Sequence, residues 1–293
     1  MNPWAAGASL YVPATRGDLA LIAAGSKYPL RSVIFCTEDS VREDQLPLAI
    51  AHVAELLSGL EPVSTLRLLR VRNFAVLEQI LAMPGVERLD GLVLPKFGLA
   101  NFSSYLERLA GVPIDLMPTL ETREVFDPEA LVRMRDLILA SPLASRVVSL
   151  RTGAQDLLSL LGLRRSRGKT IYETPVGSAI DRLVGIFKPY GLPVHAPVFD
   201  YLDDPLTLER EVEADLEHGL VGKSAVHPHQ VEIIESQYRV SPEDLELAAA
   251  ILSPEAPAVF QTQGVMCEPA THRNWAKGIL ERQRIFGCYN SVA

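Results

Sequence analysis

Cysteine is scarce. Cys36, Cys267 and Cys288 are an odd three, far apart, with no CxxC pair in 293 residues. That excludes a disulfide framework and gives zinc no thiolate set, so a reducing cytoplasm is the expected compartment. Positive charge is also short: 28 Lys and Arg stand against 36 Asp and Glu, a formal net charge of −8. An acidic surface suits neither nucleic acid nor an anionic membrane, because both need a positive field. It leaves room for a local basic pocket that holds an anionic substrate. The N-terminus, MNPWAAGASLYVPATRGDLALIAAG, lacks the basic start and long apolar run of a signal peptide, and no other stretch reads as a transmembrane span. No internal repeat or low-complexity linker interrupts the chain.

What the sequence does have is alternation. Short β-like runs fall at residues 9–13, 32–35, 66–71, 91–95, 114–118, 146–150, 192–196 and 223–226. Most of the spacers carry helical periodicity. Leu46, Ala49, Ile50, Val53, Leu57 and Leu60 follow the i, i+3, i+4 rule. Asp127, Asp204 and Ser241 each precede a proline, the signature of a capped helix start. Eight strands alternating with helices imply parallel strands, since each crossover needs a helix. An open doubly wound sheet competes with a closed barrel, but no GxGxxG turn follows the first strand, and a count of eight favours the (β/α)8 TIM barrel. The hydrophobic fraction of 48% fills a large core, and the length is near the roughly 250 residues of such barrels. Residues 1–254 are therefore expected to form the catalytic barrel. Residues 255–293 read as a loop and helix, with Met266, Trp275, Ile279, Leu280 and Phe286 giving an apolar face. This C-terminal helical extension is expected to pack on a neighbouring subunit.

In a parallel barrel, chemistry belongs at the carboxyl ends of the strands. The second run leads into Glu38 and Asp39, the third into Arg72 and Asn73, the fourth into Lys96, the fifth into Glu121, the sixth into Arg151 and Asp156, and the eighth into His227 and His229. Hard divalent ions such as Mg²⁺ take one or two carboxylates, with substrate and water completing the shell. Glu121 and Asp156 follow adjacent strands and are suited to share such an ion. Arg72 and Lys96 would hold an anionic substrate or developing negative charge. Blander readings stand beside these. Asp156 is also a favourable first-turn acid, Glu121 a solvated loop residue, and Arg72 a structural ion-pair partner.

Several segments, in order, resemble one family. LYVPATR (10–16) is similar to its opening LFVPxxR, VIFCTEDSV (33–41) to VILDLEDAV, VRN (71–73) to V-R-x-N, and VLPK (93–96) matches as it stands. MPTLET (117–122) resembles P-x-I-E-T, and RTGAQDLLSLLG (151–162) resembles G-x-x-D-L-x-x-x-L-G. Residues 203–231 resemble D-x-x-G-L followed by G-F-x-G-K-x-x-I-H-P-x-Q, and GVMCEP (264–269) resembles G-x-M-V-D-x-P. The family is that of the citrate lyase β-subunit and the HpcH/HpaI aldolases. The resemblance implies a TIM barrel, Mg²⁺, and carbon–carbon lyase chemistry on a short 2-oxo or hydroxy acid or its CoA thioester. Carried over by position, Glu121 and Asp156 are the metal ligands. Arg72 is catalytic and touches the substrate, and Arg16 and Lys96 are also expected to bind it. Glu38 and Asp39 lie near the metal, and Glu268 reaches a neighbour's active site in a homotrimer or a dimer of trimers.

There are departures. Cys36 stands at the first acid of DLEDAV, Glu268 replaces Asp, and one residue is missing between Arg72 and Asn73. The run Arg164, Arg165, Arg167, Lys169 reads as a solvated basic loop, with a phosphate or CoA clamp as the alternative. It is not a P-loop, because five residues rather than four separate Gly162 from Gly168. The His227/His229 pair lacks a third zinc ligand in sequence. His52 and His195 read as surface or packing residues. A non-catalytic subunit that kept the fold is the rival from another class.

Overall fold

The computed structural model describes residues 1–289; residues 290–293, part of the expected extension, lie outside them. Two compact units result, Met1–Ile233 and Ile234–Ala293.

The first unit is the barrel. Its strands are β1 (Ala8–Pro13), β2 (Ser32–Cys36), β3 (Leu66–Arg70), β4 (Gly91–Leu94), β5 (Asp115–Leu120), β6 (Leu150–Thr152), β7 (Val194–His195) and β8 (Lys223–Ala225). Between them run α1 (Leu19–Ala23), α2 (Leu46–Ser58), α3 (Phe74–Leu81), α4 (Phe102–Leu109), α5 (Pro128–Ala140), α6 (Ala154–Leu160), α7 (Pro175–Phe187) and α8 (Pro205–Glu217), with α9 (Pro228–Gln237) after β8. All pairings are parallel, in the order β7-β6-β5-β4-β3-β2-β1-β8. A parallel bridge between Ala196 and Lys223 brings β7 to β8, with Ala196 N–H donating to the Gly222 carbonyl at 2.8 Å and Ser224 N–H to that of Ala196 at 3.2 Å. The eight expected strands are all present. β6 begins later than expected because Val147 makes only an isolated bridge to Leu116 and the regular ladder starts at Leu150.

The helix starts follow from the caps. Asp127 accepts from the N–H groups of Glu129 and Ala130, Asp204 from Thr207, and in the second unit Ser241 from Asp244, each satisfying donors the first turn leaves open.

Inside the barrel, strand alternation decides everything that follows. Ile34, Leu68, Val93 and Met117 form one fully buried apolar layer, each side chain removed from water at a gain of about 1.5–3 kcal/mol. Two residues further along, the same faces carry Cys36, Arg70 and Thr119, and two further, just past the ends of β2 and β5, come Glu38 and Glu121. The amino terminus sits under the apolar layer: Met1 packs against it, its ammonium pairs with Asp115 at 2.7 Å, and buried His195 donates Nε2–H to the Pro3 carbonyl at 3.2 Å.

The second unit contains α10 (Pro242–Leu252), the hairpin of β9 (Phe260–Thr262) and β10 (Val265–Cys267), and α11 (Pro269–Phe286). Val240, Ala248, Ile251, Cys267, Ala276 and Ile279 form its core. It starts before residue 255, because α10 packs with α11 instead of ending the barrel. Among the described residues no helix is long and apolar enough to cross a membrane.

Candidate active site

A cavity of about 260 Å³ opens among the carboxyl ends of the strands, lined by Tyr11, Cys36, Glu38, Asp39, Arg70, Thr119, Glu121, Arg151, Gly153, Asp156 and Ser224 with their neighbours. At its centre is Arg70, on the last residue of β3. Its Nε donates to Glu38 Oε2 at 2.8 Å and its Nη2 to Glu121 Oε1 at 3.0 Å. Burial opposes the guanidinium charge, but Tyr11, Glu121 and Glu38 outweigh it and hold the group firmly protonated. Glu38 is taken on its other side by Lys96 Nζ, 2.5 Å from Oε1. Burial would raise the Glu38 carboxyl, yet Arg70 and Lys96 together bring it below its usual range.

Lys96 serves the site twice. Its backbone is in the left-handed region, with φ of 47°, which a side-chain-bearing residue adopts only under constraint. That turn aims its N–H at Glu121 Oε1, 2.7 Å away, while the ammonium reaches Glu38 and lies 3.5 Å from Asp39. Asp39 stands at the mouth, largely in solvent. Partial burial and the charge of Glu38 raise its carboxyl above the usual range.

Glu121 is the most buried acid of the cavity. Burial pushes its carboxyl up to about 7; Arg70 and the Lys96 N–H pull it down, and Asp156 and Glu38 push it up again. A Cβ at position 153 would overlap this carboxyl, so only glycine leaves room for it there. Asp156, in the first turn of α6, lines the same cavity. Among the described residues no group of three or more His, Cys, Asp and Glu side chains converges to cage an ion. Two carboxylates lining one cavity are instead the donor set for a hard divalent cation that keeps waters and a substrate in its shell. The site fits such an ion.

The structure thus brings together Glu38, Asp39, Lys96, Glu121 and Asp156, and places Arg72, Arg16 and Glu268 elsewhere than in the lining of this cavity. Arg72 is not the cavity arginine. Its Nη1 donates to the carbonyls of Val41 and Glu38 at 2.9 and 3.3 Å, and its Nη2 pairs with exposed Glu43 at 3.0 Å, so it ties down the loop after β2. Arg70 takes the place expected for it. Read without a gap, Leu69-Arg70-Val71-Arg72 fits V-R-x-N with Arg72 at the Asn position, and Arg70 shares its strand face with Leu68. Arg16 lines a separate cavity with Tyr28, His227 and His229, where it makes a two-point pair with Asp18 at 2.8 and 2.7 Å. Glu268 lies in the second unit, just before α11, where its backbone N–H donates to His272 Nδ1 at 3.0 Å.

The basic run is exposed at Arg164, Arg167 and Lys169, as a solvated loop would be, but not at Arg165. Arg165 is buried, paired with Glu211, donating to the Val198 carbonyl at 2.9 Å and resting over Phe199. Arg167 and Lys169 pair with Asp203 and Glu173 at 2.9 and 2.6 Å. Lys223 completes the buried network, 2.9 Å from Glu211 and 2.8 Å from Asp215. Three of the four cations are therefore engaged within the chain. Tyr11 and Thr119 were not among the expected site residues; both were legible as inward positions of β1 and β5.

Comparison with known proteins gives a consistent picture. The model of the carbon–carbon bond lyases of the TIM-barrel fold matches residues 1–288. A (3S)-malyl-CoA thioesterase of Cereibacter sphaeroides is 25% identical over 262 residues, covering 87% of this chain and 85% of its own. An L-malyl-CoA/beta-methylmalyl-CoA lyase of the same species is 23% identical over 245 residues, 74% of each. CitE of Mycobacterium tuberculosis, solved with magnesium, acetoacetate and coenzyme A, superposes with a TM-score of 0.70 at 24% identity, over 94% of this chain and 98% of its own. RipC of Yersinia pestis does so with a TM-score of 0.62, also at 24%, over 83% and 99%. These structures share the fold. The chain belongs to the TIM-barrel family of carbon–carbon bond lyases.

Proposed function

We propose that this enzyme is a Mg²⁺-dependent lyase that cleaves, or in reverse forms, a carbon–carbon bond of a short hydroxy acid or its CoA thioester. The observation that carries this reading is the shared cavity of Glu121 and Asp156, with the Arg70 guanidinium against the first of them. The magnesium in the CitE complex and the malyl-CoA substrates in the relatives' names support it.

Glu121 and Asp156 would hold the ion through carboxylate oxygens. When bound, the ion supplies Lewis-acid polarisation of a substrate oxygen. Asp39, with its raised carboxyl at the mouth, takes the hydroxyl proton as general base. As the hydroxyl-bearing carbon becomes a carbonyl, the bonding pair of the C–C bond passes to the leaving fragment as an enolate, which is then protonated. Arg70 supplies permanent positive charge beside that fragment. Glu38 keeps the Arg70 fork and the Lys96 ammonium oriented, and Lys96 meets the substrate's anionic end at the rim.

Glu268 is proposed to complete a neighbouring subunit's site in a homotrimer or hexamer, and the cytoplasm is the proposed compartment. The test of the function is direct: incubation with Mg²⁺ and a panel of hydroxy acids and their CoA thioesters. The reading expects a 2-oxo acid or aldehyde-acid product to appear with Mg²⁺ and not with EDTA. No C–C cleavage or condensation on any of them would overturn it.

A further inference from the structure

The loop between β7 and α8 carries a half-buried acid, Asp200, that the lyase chemistry does not use. It stands outside the lining of the cavity, and its place is fixed on both sides. Buried Gln230 donates to the Phe199 carbonyl at 2.9 Å, and the Tyr201 hydroxyl donates to the Arg165 carbonyl at 2.8 Å. From this anchored loop Asp200 meets α6 at its start and just past its end. Its Oδ1 accepts from Nε2 of Gln155, in the first turn of the helix. Its Oδ2 lies 3.8 Å from Nε of Arg165, in the segment that follows, and that buried Nε has no hydrogen-bond partner among the described residues. The helix needs such a hold. It has seven residues, with Gly153 as N-cap and no side chain bonded to its open first turn. A helix this short takes its place from tertiary contacts. Ala154, Leu157 and Leu158 bury one face of it, but apolar burial is non-directional, whereas a hydrogen bond fixes direction.

We infer that Asp200 is a positioning residue, which acts through Gln155 to seat the first turn of α6 and so aims the Asp156 carboxylate at the ion it shares with Glu121. The inference rests on the reading of Glu121 and Asp156 as the ion's ligands and deepens it. Gln155 immediately precedes Asp156, so whatever holds the first turn holds the carboxylate. The Arg165 cation draws on the second oxygen of Asp200, which ties the start of the helix to the segment beyond it. A ligand already in place when the ion arrives binds it more tightly, because apparent affinity follows the fraction of molecules with the site assembled.

The experiment is calorimetric titration of the full chain with Mg²⁺ at saturating pyruvate, with folding checked by circular dichroism. Asp200→Ala is expected to weaken Mg²⁺ about fivefold, the scale of a single hydrogen bond. Asp200→Asn keeps an oxygen that accepts from Gln155 and should stay within about twofold of the unaltered protein. Gln155→Ala should match Asp200→Ala, and the two together should weaken Mg²⁺ no further than either alone, since both break the same bond. A residue that only supports the fold would shift the urea midpoint and leave the Mg²⁺ affinity of the folded molecules unchanged. Unchanged affinity in Asp200→Ala, equal weakening by Asp200→Asn and Asp200→Ala, or full additivity in the double variant would overturn the positioning role and leave the ion's site in place. If the unaltered protein binds no Mg²⁺, the reading of Glu121 and Asp156 falls with it.

Discussion

The guanidinium of Arg70 joins Glu38 to Glu121 across the mouth of the barrel, with Nη2 2.7 Å from Glu38 Oε2 and 3.0 Å from Glu121 Oε1. All three side chains are almost wholly buried. Removing the cation leaves two carboxylates facing each other out of water. Arg70→Met is therefore expected to cost about 3–5 kcal/mol of stability and to lower kcat/KM by at least about 100-fold. Arg72→Ala, which loses two carbonyl contacts and an exposed pair with Glu43, should cost less, about 1–3 kcal/mol, and lower kcat/KM less than Arg70→Met. Urea denaturation and steady-state kinetics on the two variants compare them; equal losses would refute the assignment of Arg70.

Lys96 holds its left-handed backbone for the sake of the N–H it gives Glu121. Lys96→Gly and Lys96→Ala both remove the ammonium, but only glycine adopts that φ without strain. The glycine variant should be more stable to urea than the alanine variant by about 1 kcal/mol. An alanine variant that matches or exceeds it would show that the backbone there is unstrained.

Arg165 anchors the segment after α6 to the buried Glu211 and to the Val198 carbonyl beside the cavity. Arg165→Met should destabilise by about 3–5 kcal/mol, whereas Arg167→Met and Lys169→Met, each losing an exposed pair, should each cost less than about 1 kcal/mol. Equal, small effects at all three positions, measured as shifts in urea midpoint, would refute the anchoring role of Arg165.

His195 makes stability pH-dependent. Burial first, then the neighbouring Arg151 charge, push its imidazole from 6.5 down to about 3. Above pH 6.5 it is neutral in folded and unfolded chains alike, and its contribution is intact. As pH falls below 6.5 the unfolded chain binds a proton that the folded one refuses, so stability drops by up to about 1.4 kcal/mol per pH unit until about pH 3. His195→Gln should flatten the slope of unfolding free energy between pH 4 and 6 by about one proton. An unchanged slope would mean that the imidazole charges within the fold.

Much of this was legible because it is periodic or local. Eight strand runs, the proline-marked caps at Asp127, Asp204 and Ser241, and the acids following strands two, five and six depend on neighbours in the chain. Arg70 was hidden by taking the arginine beside Asn73 as the motif residue; the two-residue step from Leu68 gives the better choice. The burial of Arg165 was out of reach, because its partner Glu211 comes from a distant helix whose pattern does not announce a charged contact. Likewise Thr119 and Arg151 meet in the cavity only once β5 and β6 are set in register.

Glu121 and Asp156 are proposed to hold one divalent ion. This is tested most directly by calorimetric Mg²⁺ titration in the presence of pyruvate, on the unaltered protein and on Glu121→Gln and Asp156→Asn. Each substitution is expected to weaken Mg²⁺ by more than the roughly 10–100-fold that loss of a merely supporting residue costs, with the fold retained by circular dichroism. Wild-type Mg²⁺ affinity in either variant would contradict the account.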